Sequence, residues 1–182
     1  MPDRPLVDLS VSEFVQAVAS PEQPVPAGAS VAALTGAACA ALLLLVCDVR
    51  ARHASGVLEH PRRNAATLQL QLLRFVDDDA TAYQAFLASE RGSDSRHSAA
   101  AQVVSVPLDI ARACSQVVAT AHAIEIHVRG TTLLDVGAAA HMAGAAARSA
   151  LDIAEHNLDM VPHLDTKESL RVEITRLRPT AA

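Results

Sequence analysis

Three consecutive aspartates stand in the middle of the chain, and one of them occupies a position where an apolar side chain is expected. Large apolar residues recur at spacings of three and four through residues 68–87, which predicts an amphipathic helix, and Asp79 falls within its apolar stripe. Asp77 points to another side, and Asp78 shares the face of Arg74, so Asp78 is expected to be solvated. A carboxyl group among apolar neighbours has a raised pKa and can exchange protons near neutral pH, which makes Asp79 a candidate general acid or base. The alternative is a buried carboxylate paired with a backbone group or a cation.

Tyr83 lies one helical turn after Asp79 and is the only tyrosine of the chain. Its hydroxyl could hydrogen-bond Asp79 or a ligand, and the alternative is that the ring fills core space.

Asp135 is a second candidate, at the predicted start of another helix. Thr132 and Asp135 have the spacing of a capping box, which assigns Asp135 a structural role at the helix start. A helix N-terminus is also a favourable place for an anion, so a binding or catalytic role stays open.

Basic residues cluster after the second predicted helix. They are Arg50, Arg52, His53, Arg62 and Arg63. Such a cluster is usually a solvated face, and the alternative is a cradle for a polyanionic ligand tail.

Neither the histidines nor the cysteines have the spacing of a metal site. His122 and His127 are five residues apart, and no H-x-x-x-H or H-E-x-x-H pattern occurs. The three cysteines, Cys39, Cys47 and Cys114, lie in apolar segments without a CxxC pair, which is typical of reduced thiols in a cytosolic protein. We therefore expect no metal and no disulfide.

Composition favours helices and argues against a nucleic-acid partner. Apolar residues make up 51% of the 182 residues and aromatic residues only 2%, so the core must be built from Ala, Leu and Val. A formal net charge of −5 gives no general attraction for nucleic acid.

The pattern along the chain predicts an all-α antiparallel bundle of about four long and two short helices, forming a single domain over residues 1–182. Predicted helices cover residues 10–19, 30–57, 61–91, 96–128, 132–158 and 166–178. The first begins at the capping box of Ser10 and Glu13, and the last is capped by Asp165. Pro107 is expected to bend the fourth helix.

Residues 27–47 are long and apolar enough to span a membrane. They are dominated by alanine with interspersed Gly, Ser and Thr, and no Trp or Tyr flanks them as an interfacial belt would. We therefore predict a helix buried on all sides of a soluble bundle and no membrane partner. The first ten residues lack the pattern of an export signal, so a cytoplasmic location is expected.

With these residues in view, the chain resembles the cyclodeaminase/cyclohydrolase family, which includes the C-terminal domain of formimidoyltransferase-cyclodeaminase and bacterial methenyltetrahydrofolate cyclohydrolases. Four blocks carry the resemblance. PAGASVAAL at residues 26–34 is similar to the family's PGGGSVAAL, VDDDATAY at 76–83 to its VDxDAxAF/Y, VPL at 106–108 to its VPL, and LDVGAA at 134–139 to its SDVGVAA. Asn157 and Leu158 match the end of its NVxxNL block.

The resemblance implies a helical homodimer that binds a tetrahydrofolate derivative as its substrate, with no other cofactor. The implied reaction is hydrolysis of a methenyl bridge or closure of a formimino ring with loss of ammonia. Asp135 and Asp79 are the implied catalytic residues. The implied substrate-binding residues are Gly28, Ser30, Asp77, Tyr83, His53 and Arg129.

Departures from the family pattern keep two alternatives open. Ala27 and Ala29 replace two of three family glycines, Val128 and Arg129 replace its Gly-Asn pair, and Leu134 replaces its serine. A new apolar group and a new cation would reshape a folate pocket. The chain could therefore act on a related cyclic amidine or another non-folate substrate, or be a helical dimer without catalysis, used for binding or assembly.

Overall fold

Six α-helices account for most of the structure, a computed structural model that describes residues 4–51 and 56–178. They are α1 (Val11–Val18), α2 (Gly28–Ala51), α3 (Glu59–Ala88), α4 (Asp94–Glu125), α5 (Thr131–Asn157) and α6 (Leu164–Leu177). Short 3-10 turns at Leu6–Asp8 and Leu158–Met160 precede α1 and follow α5. Among the described residues there is no strand, so the all-α prediction is confirmed.

The four long helices form an antiparallel bundle. α2 packs against α3 and α5, α4 packs against the same two helices, and α2 and α4 face each other across the diagonal. The core between them is rich in alanine, with Leu43, Leu72, Leu108 and Leu151 fully buried. Small side chains let the backbones approach closely. At Gly36 an added Cβ would lie 2.5 Å from the Sγ atom of Cys114.

Side chains at the helix starts explain where two of the helices begin. Ser10 Oγ accepts from the backbone N–H of Glu13, and the Glu13 carboxylate accepts from the N–H of Ser10, so the capping box predicted for α1 is confirmed. Ser93 caps α4 with its side chain, since its Oγ accepts a hydrogen bond from the backbone N–H of Arg96 at 3.1 Å.

Two predicted caps were wrong. Helix α5 begins at Thr131 after Gly130, whose φ of 65° makes the turn, so Thr132 lies inside the helix and its hydroxyl donates back to the carbonyl of Arg129. With Gly130 at the cap position, the third residue of the helix is Leu133, so Asp135 lies two residues too far along to close a capping box. Asp165 likewise lies inside α6, whose cap position is taken by His163.

Helix α2 is not buried on all sides, contrary to the sequence-based prediction. Ala33, Ala40 and Leu43 are fully buried, whereas Val31 is 37% exposed and Leu45 is 55% exposed. By length and composition alone, α2 and α4 could each cross a membrane, but both have most of the relevant stretch buried in the bundle. A core helix of a bundle can be just as long and apolar as a membrane span, so length and composition do not distinguish the two. We therefore describe α2 as a bundle helix with one exposed apolar face.

Candidate functional site

A cavity of about 300 Å³ lies at one end of the bundle, where the start of α2, the last third of α3 and the end of α5 meet. The approach to α2 and three helices supply its walls. The lining residues are Pro24, Val25, Ala27, Gly28, Ala29, Asp79, Tyr83, Ile153 and Asn157. Ala27 and Gly28 are exposed, so they stand at the mouth. The prolines before α2 fix the entry of the chain, which places the first turn of the helix against this space.

Ser30 and Asp79 form the polar centre of the site. The Oγ atom of Ser30 donates to Oδ2 of Asp79 at 2.7 Å, across the interface between α2 and α3. Ser30 is fully buried, and Asp79 is half-buried at the cavity wall. The backbone N–H of Ser30 also points to this carboxylate. Because Ser30 is in the first turn of α2, that N–H has no partner within its own helix, and the carboxylate of Asp79 takes the place of a cap.

Burial raises the pKa of Asp79 above its ordinary value, and the two hydrogen bonds from Ser30 oppose this effect by stabilising the carboxylate. Desolvation is the larger cause, so the net direction is upward. Asp79 therefore combines a raised proton affinity with a fixed orientation towards a cavity. Its predicted place in an apolar stripe is correct, and its partner is a hydroxyl and an N–H rather than a cation.

Tyr83 and Asn157 provide the other hydrogen-bonding side chains at the wall. Tyr83 follows Asp79 by one turn of α3, and its ring packs 6.5 Å from that of Phe86. Asn157 is almost fully buried and donates from Nδ2 to the carbonyl of Val103 at 2.8 Å. Because Nδ2 is held there, Oδ1 is the atom of this side chain that can accept from a ligand.

The partner of Asn157 is explained by Pro107. In α4 the carbonyl of Val103 would accept from the backbone N–H of residue 107, and proline has none. Asn157 supplies the missing donor from α5. Pro107 and Asn157 belong to different blocks of the family pattern, and this hydrogen bond connects them across the bundle.

Several predicted site residues lie elsewhere. Asp77 accepts from the backbone N–H of Leu6 at 2.6 Å and so holds the N-terminal turn against α3. Arg129 lies at the opposite end of the bundle, in a separate pocket of about 290 Å³ that also has Arg50 and His127 in its wall. His53 lies outside the described residues.

Asp135 is also far from the cavity within one chain. It is half-buried near the start of α5, and Ile153, which lines the cavity, follows it by 18 residues on the same helix. At 1.5 Å per residue this separation is about 27 Å. Asp79 and Asp135, the two predicted catalytic residues, are therefore not brought together by the fold of a single chain.

Six lining residues were not predicted as site residues. Ala27 and Ala29 were noted only as replacements of family glycines. Asn157 was matched to a family block and Ile153 was not singled out, because no sequence pattern indicates that α5 meets the start of α2. Pro24 and Val25 were interpreted only as the lead-in to the helix. The Asn157 side chain in a helix otherwise rich in alanine was the signal that could have drawn attention to this end of α5.

The arrangement suits proton transfer and binding of a small polar ring, and the described residues do not form a metal centre. No group of three or more potential ligands of the His, Cys, Asp and Glu types occurs in the described part of the chain. Burial raises the pKa of Cys39 and Cys47 to about 11 and that of Cys114 to about 12, so these thiols stay protonated at neutral pH. Among the lining residues, the ionisable side chains are the carboxyl group of Asp79 and the phenol of Tyr83.

Comparison with known proteins shows which family and which known fold the chain resembles. Residues 10–176 match the family model described as formiminotransferase-cyclodeaminase. The fold is similar to the crystal structure of formiminotetrahydrofolate cyclodeaminase from Thermotoga maritima, with a TM-score of 0.85 and 20% sequence identity over 96% of this chain and 90% of that one. No curated protein sequence matches the chain.

Proposed function

Because the chain belongs to the formiminotransferase-cyclodeaminase family, we propose that it closes the ring of a formimino-tetrahydrofolate and releases ammonia, with Asp79 as the group that moves the proton. The observation that carries this proposal is the carboxyl group of Asp79, held by Ser30 at the wall of a cavity that also presents Tyr83 and Asn157.

The reaction needs a proton acceptor that can later donate. The folate nitrogen that closes the ring attacks the formimino carbon and forms a new C–N bond, and its proton passes to the carboxylate of Asp79. The departing nitrogen gains two protons, one returned by Asp79 and one from solvent, and leaves as ammonia when its bond to carbon breaks. A carboxyl group with a raised pKa is suited to both steps, since it exchanges protons closer to neutral pH than an ordinary carboxyl group.

The product is a cationic amidinium, and the site has the charge to stabilise it. The carboxylate of Asp79 lies against the cavity. The hydroxyl of Tyr83 can donate a hydrogen bond to a ring nitrogen or accept one from a ring N–H, and Oδ1 of Asn157 can accept one from a ring N–H. At about 300 Å³ the cavity is at the small end of ligand pockets, so it receives the reacting ring and leaves the rest of the folate at the mouth.

Turnover of formimino-tetrahydrofolate tests the proposal directly. Ammonia release and formation of the methenyl product are followed with the wild-type protein, with Asp79→Asn and with Asp78→Asn. Asp78 lies on the same helix, is solvated and has only a 4.0 Å ion pair with Arg74, so it is the matched control. Asp79→Asn is expected to lose at least about 100-fold in kcat, the usual contribution of a general acid or base, and Asp78→Asn to keep wild-type activity.

Two other outcomes would replace this function. Consumption of methenyltetrahydrofolate without ammonia release would make the protein a cyclohydrolase. If calorimetry gives no saturable heat with either folate, the cavity serves a different ligand or the chain is a non-catalytic scaffold. The homodimer stays a prediction of the family resemblance, and the cytoplasmic location stays a prediction from the N-terminal sequence and the cysteine pattern.

A further inference from the structure

A second cavity lies between the first half of α3 and the last third of α4. Its volume is about 380 Å³, larger than that of the cavity at Asp79 and within the range of small-ligand pockets, which often form between the helices of a bundle. Thr67, which lines it, precedes Asp79 by 12 residues on α3, or about 18 Å along the helix. The two cavities have no lining residue in common, so they are separate sites.

Polar side chains face this α3/α4 cavity from both helices. On α3 they recur at spacings of three and four residues, and on α4 two of them lie one turn apart. They are His60, Asn64, Thr67 and Gln71 of α3, and Gln116 and Thr120 of α4. Such spacing places each set on one face of its helix, where a bundle helix normally carries apolar residues towards its neighbour. Hydrogen-bonding groups of two helices therefore converge on one space.

Thr120 is the most deeply buried of these polar residues. The described part of the chain buries three polar side chains, those of Ser30, Thr120 and Asn157, and the other two belong to the Asp79 site. Thr120 is 5% exposed, and its hydroxyl donates to the carbonyl of Gln116 at 2.8 Å. Packing alone does not require this hydroxyl, because valine has nearly the same shape and no polar group to desolvate. The oxygen of Thr120 keeps its lone pairs and can accept from a ligand.

The side-chain amides of Gln71 and Gln116 are available to a ligand. Neither has a hydrogen-bond partner within the part of the chain that the structure describes. Thr67, like Thr120, donates to its own helix, at 3.1 Å to the carbonyl of Arg63, and keeps an acceptor. A primary amide has an acceptor and a donor side by side, which pair with an adjacent donor and acceptor on the edge of a ring, as glutamine pairs with adenine. Each of the two helices supplies one such amide.

The lining favours an uncharged ligand. None of the ten described lining residues is Asp, Glu, Lys or Arg. The basic residues next to the cavity on α3, Arg62 and Arg63, are paired with Asp48 at 2.5 Å and with Glu59 at 3.2 Å. A charged ligand would therefore lose its hydration without gaining a counter-charge from the lining.

The remaining lining residues are aliphatic. They are Pro61 and Leu68 of α3, and Ala119 and Ala123 of α4. Pro61 and Leu68 are buried and form the floor of the cavity. An aliphatic floor with an amide on each side fits a flat ring that buries one face and presents N–H and C=O groups at its edge.

We propose that the α3/α4 cavity binds a neutral fused heterocycle with an amide-type edge, the chemistry shared by purine bases and by the pterin ring of folates. Gln71 and Gln116 bind the edge of the ring, one from each helix. Thr120 accepts a hydrogen bond from a ring N–H, and Leu68 packs against the face of the ring. The inference does not depend on the proposed function, because the cavity shares no lining residue with the Asp79 site.

NMR and calorimetry test this site without reference to turnover. Adenosine and pterin are titrated separately into the ¹⁵N-labelled wild-type protein. The side-chain amide signals of Gln71 and Gln116 are expected to shift together, and that of Gln102, exposed on α4 outside the cavity, to stay in place. A shift with adenosine alone identifies a purine nucleoside as the source of the ring, and a shift with pterin alone identifies the head group of a folate.

Substitution of the two amides provides the matched comparison. Gln71→Leu combined with Gln116→Leu removes both hydrogen-bonding edges at exposed positions, and its fold is checked by circular dichroism. Calorimetry is expected to give at least about 10-fold weaker binding for this variant, since each lost hydrogen bond has a measurable share of the affinity. Gln102→Leu and Asp79→Asn are expected to bind as the wild type does.

Three results would overturn the proposal. They are unmoved amide signals of Gln71 and Gln116 with both compounds at millimolar concentration, unchanged affinity in the double leucine variant, and loss of binding in Asp79→Asn. The last result would place the ligand in the other cavity. Absence of turnover in the wild type would refute the proposed function and leave the outcome of these titrations unaffected.

Discussion

Asn157 donates a hydrogen bond from α5 to the carbonyl of Val103 in α4, at 2.8 Å, and so satisfies the backbone acceptor that Pro107 leaves without its helical donor. One amide therefore stabilises the α4 and α5 pair and forms part of the cavity wall. A substitution of Asn157 should therefore affect both the stability of the bundle and the shape of the cavity.

Removing the amide of Asn157 is expected to destabilise the protein, and the size of the loss should depend on whether residue 107 is proline. Asn157→Ala leaves the Val103 carbonyl buried and unpaired, which costs about 1–3 kcal/mol of unfolding free energy. In a Pro107→Ala background residue 107 regains an N–H that reaches Val103, so the same substitution should cost markedly less. A double-mutant cycle from urea unfolding measures the coupling, and strictly additive costs would contradict this account.

Asp79→Asn is expected to lose turnover while keeping or increasing the unfolding free energy at pH 7. Burial raises the pKa of Asp79 in the folded state, so the folded protein favours the protonated carboxyl group over the carboxylate. The stability that the protonated form contributes is therefore lost as the pH rises through the pKa of the folded state. Asp79→Asn keeps an oxygen acceptor for Ser30 and never ionises. The variant should match or exceed the wild type in unfolding free energy at pH 7, and the stability advantage should disappear below about pH 4, the ordinary pKa of Asp.

Ser30→Ala is expected to move the pH dependence of turnover. The hydroxyl of Ser30 stabilises the carboxylate of Asp79, so its removal raises the pKa of Asp79 further. The acidic limb of the pH profile of kcat/KM should shift to higher pH, and stability should fall by about 1 kcal/mol. Ser30→Thr, which retains a hydroxyl, tests whether the donor restores the profile. An unchanged limb in Ser30→Ala would mean that another group controls it.

Two glycine substitutions should have opposite effects on stability. At Gly36 an added Cβ would lie 2.5 Å from Sγ of buried Cys114, so Gly36→Ala should cost about 1–3 kcal/mol through overpacking. At Gly137, within α5, an added Cβ meets nothing within 4 Å, and Gly137→Ala should gain up to about 1 kcal/mol from helix propensity. Thermal unfolding of both variants measures the difference, and equal shifts would show that local packing is not the cause.

Gly28→Ala is expected to reduce affinity more than stability. The new Cβ would lie 3.0 Å from Cδ1 of Ile153, the flexible end of a side chain that can move. That movement narrows the cavity at its mouth, where Ile153 forms part of the wall. KM for the folate should rise while the melting temperature stays within a few degrees. A matched Ile153→Val variant in the Gly28→Ala background should recover part of the affinity, because it removes the crowded methyl group.

Local patterns predicted much of this fold because they depend on neighbours along the chain. The Ser10 capping box and the apolar stripe around Asp79 each follow from spacings of three or four residues. The same reasoning failed at Thr132. Gly130, with a positive φ, takes the cap position, so α5 begins at Thr131 and not at the predicted residue 132. A cap depends on the backbone angles before it, which residue types alone do not fix.

The sequence by itself determined six helices, a small-residue core and one carboxylate, Asp79, that would be partly desolvated. Only the tertiary structure decided that Ser30 is its partner, that Asn157 closes the cavity and that Asp135 lies about 27 Å away along α5. The reason is physical. Helical periodicity specifies which residues share a face, whereas distances between residues on different helices depend on how antiparallel helices are aligned against one another, and that alignment is set by packing and by hydrogen bonds between helices.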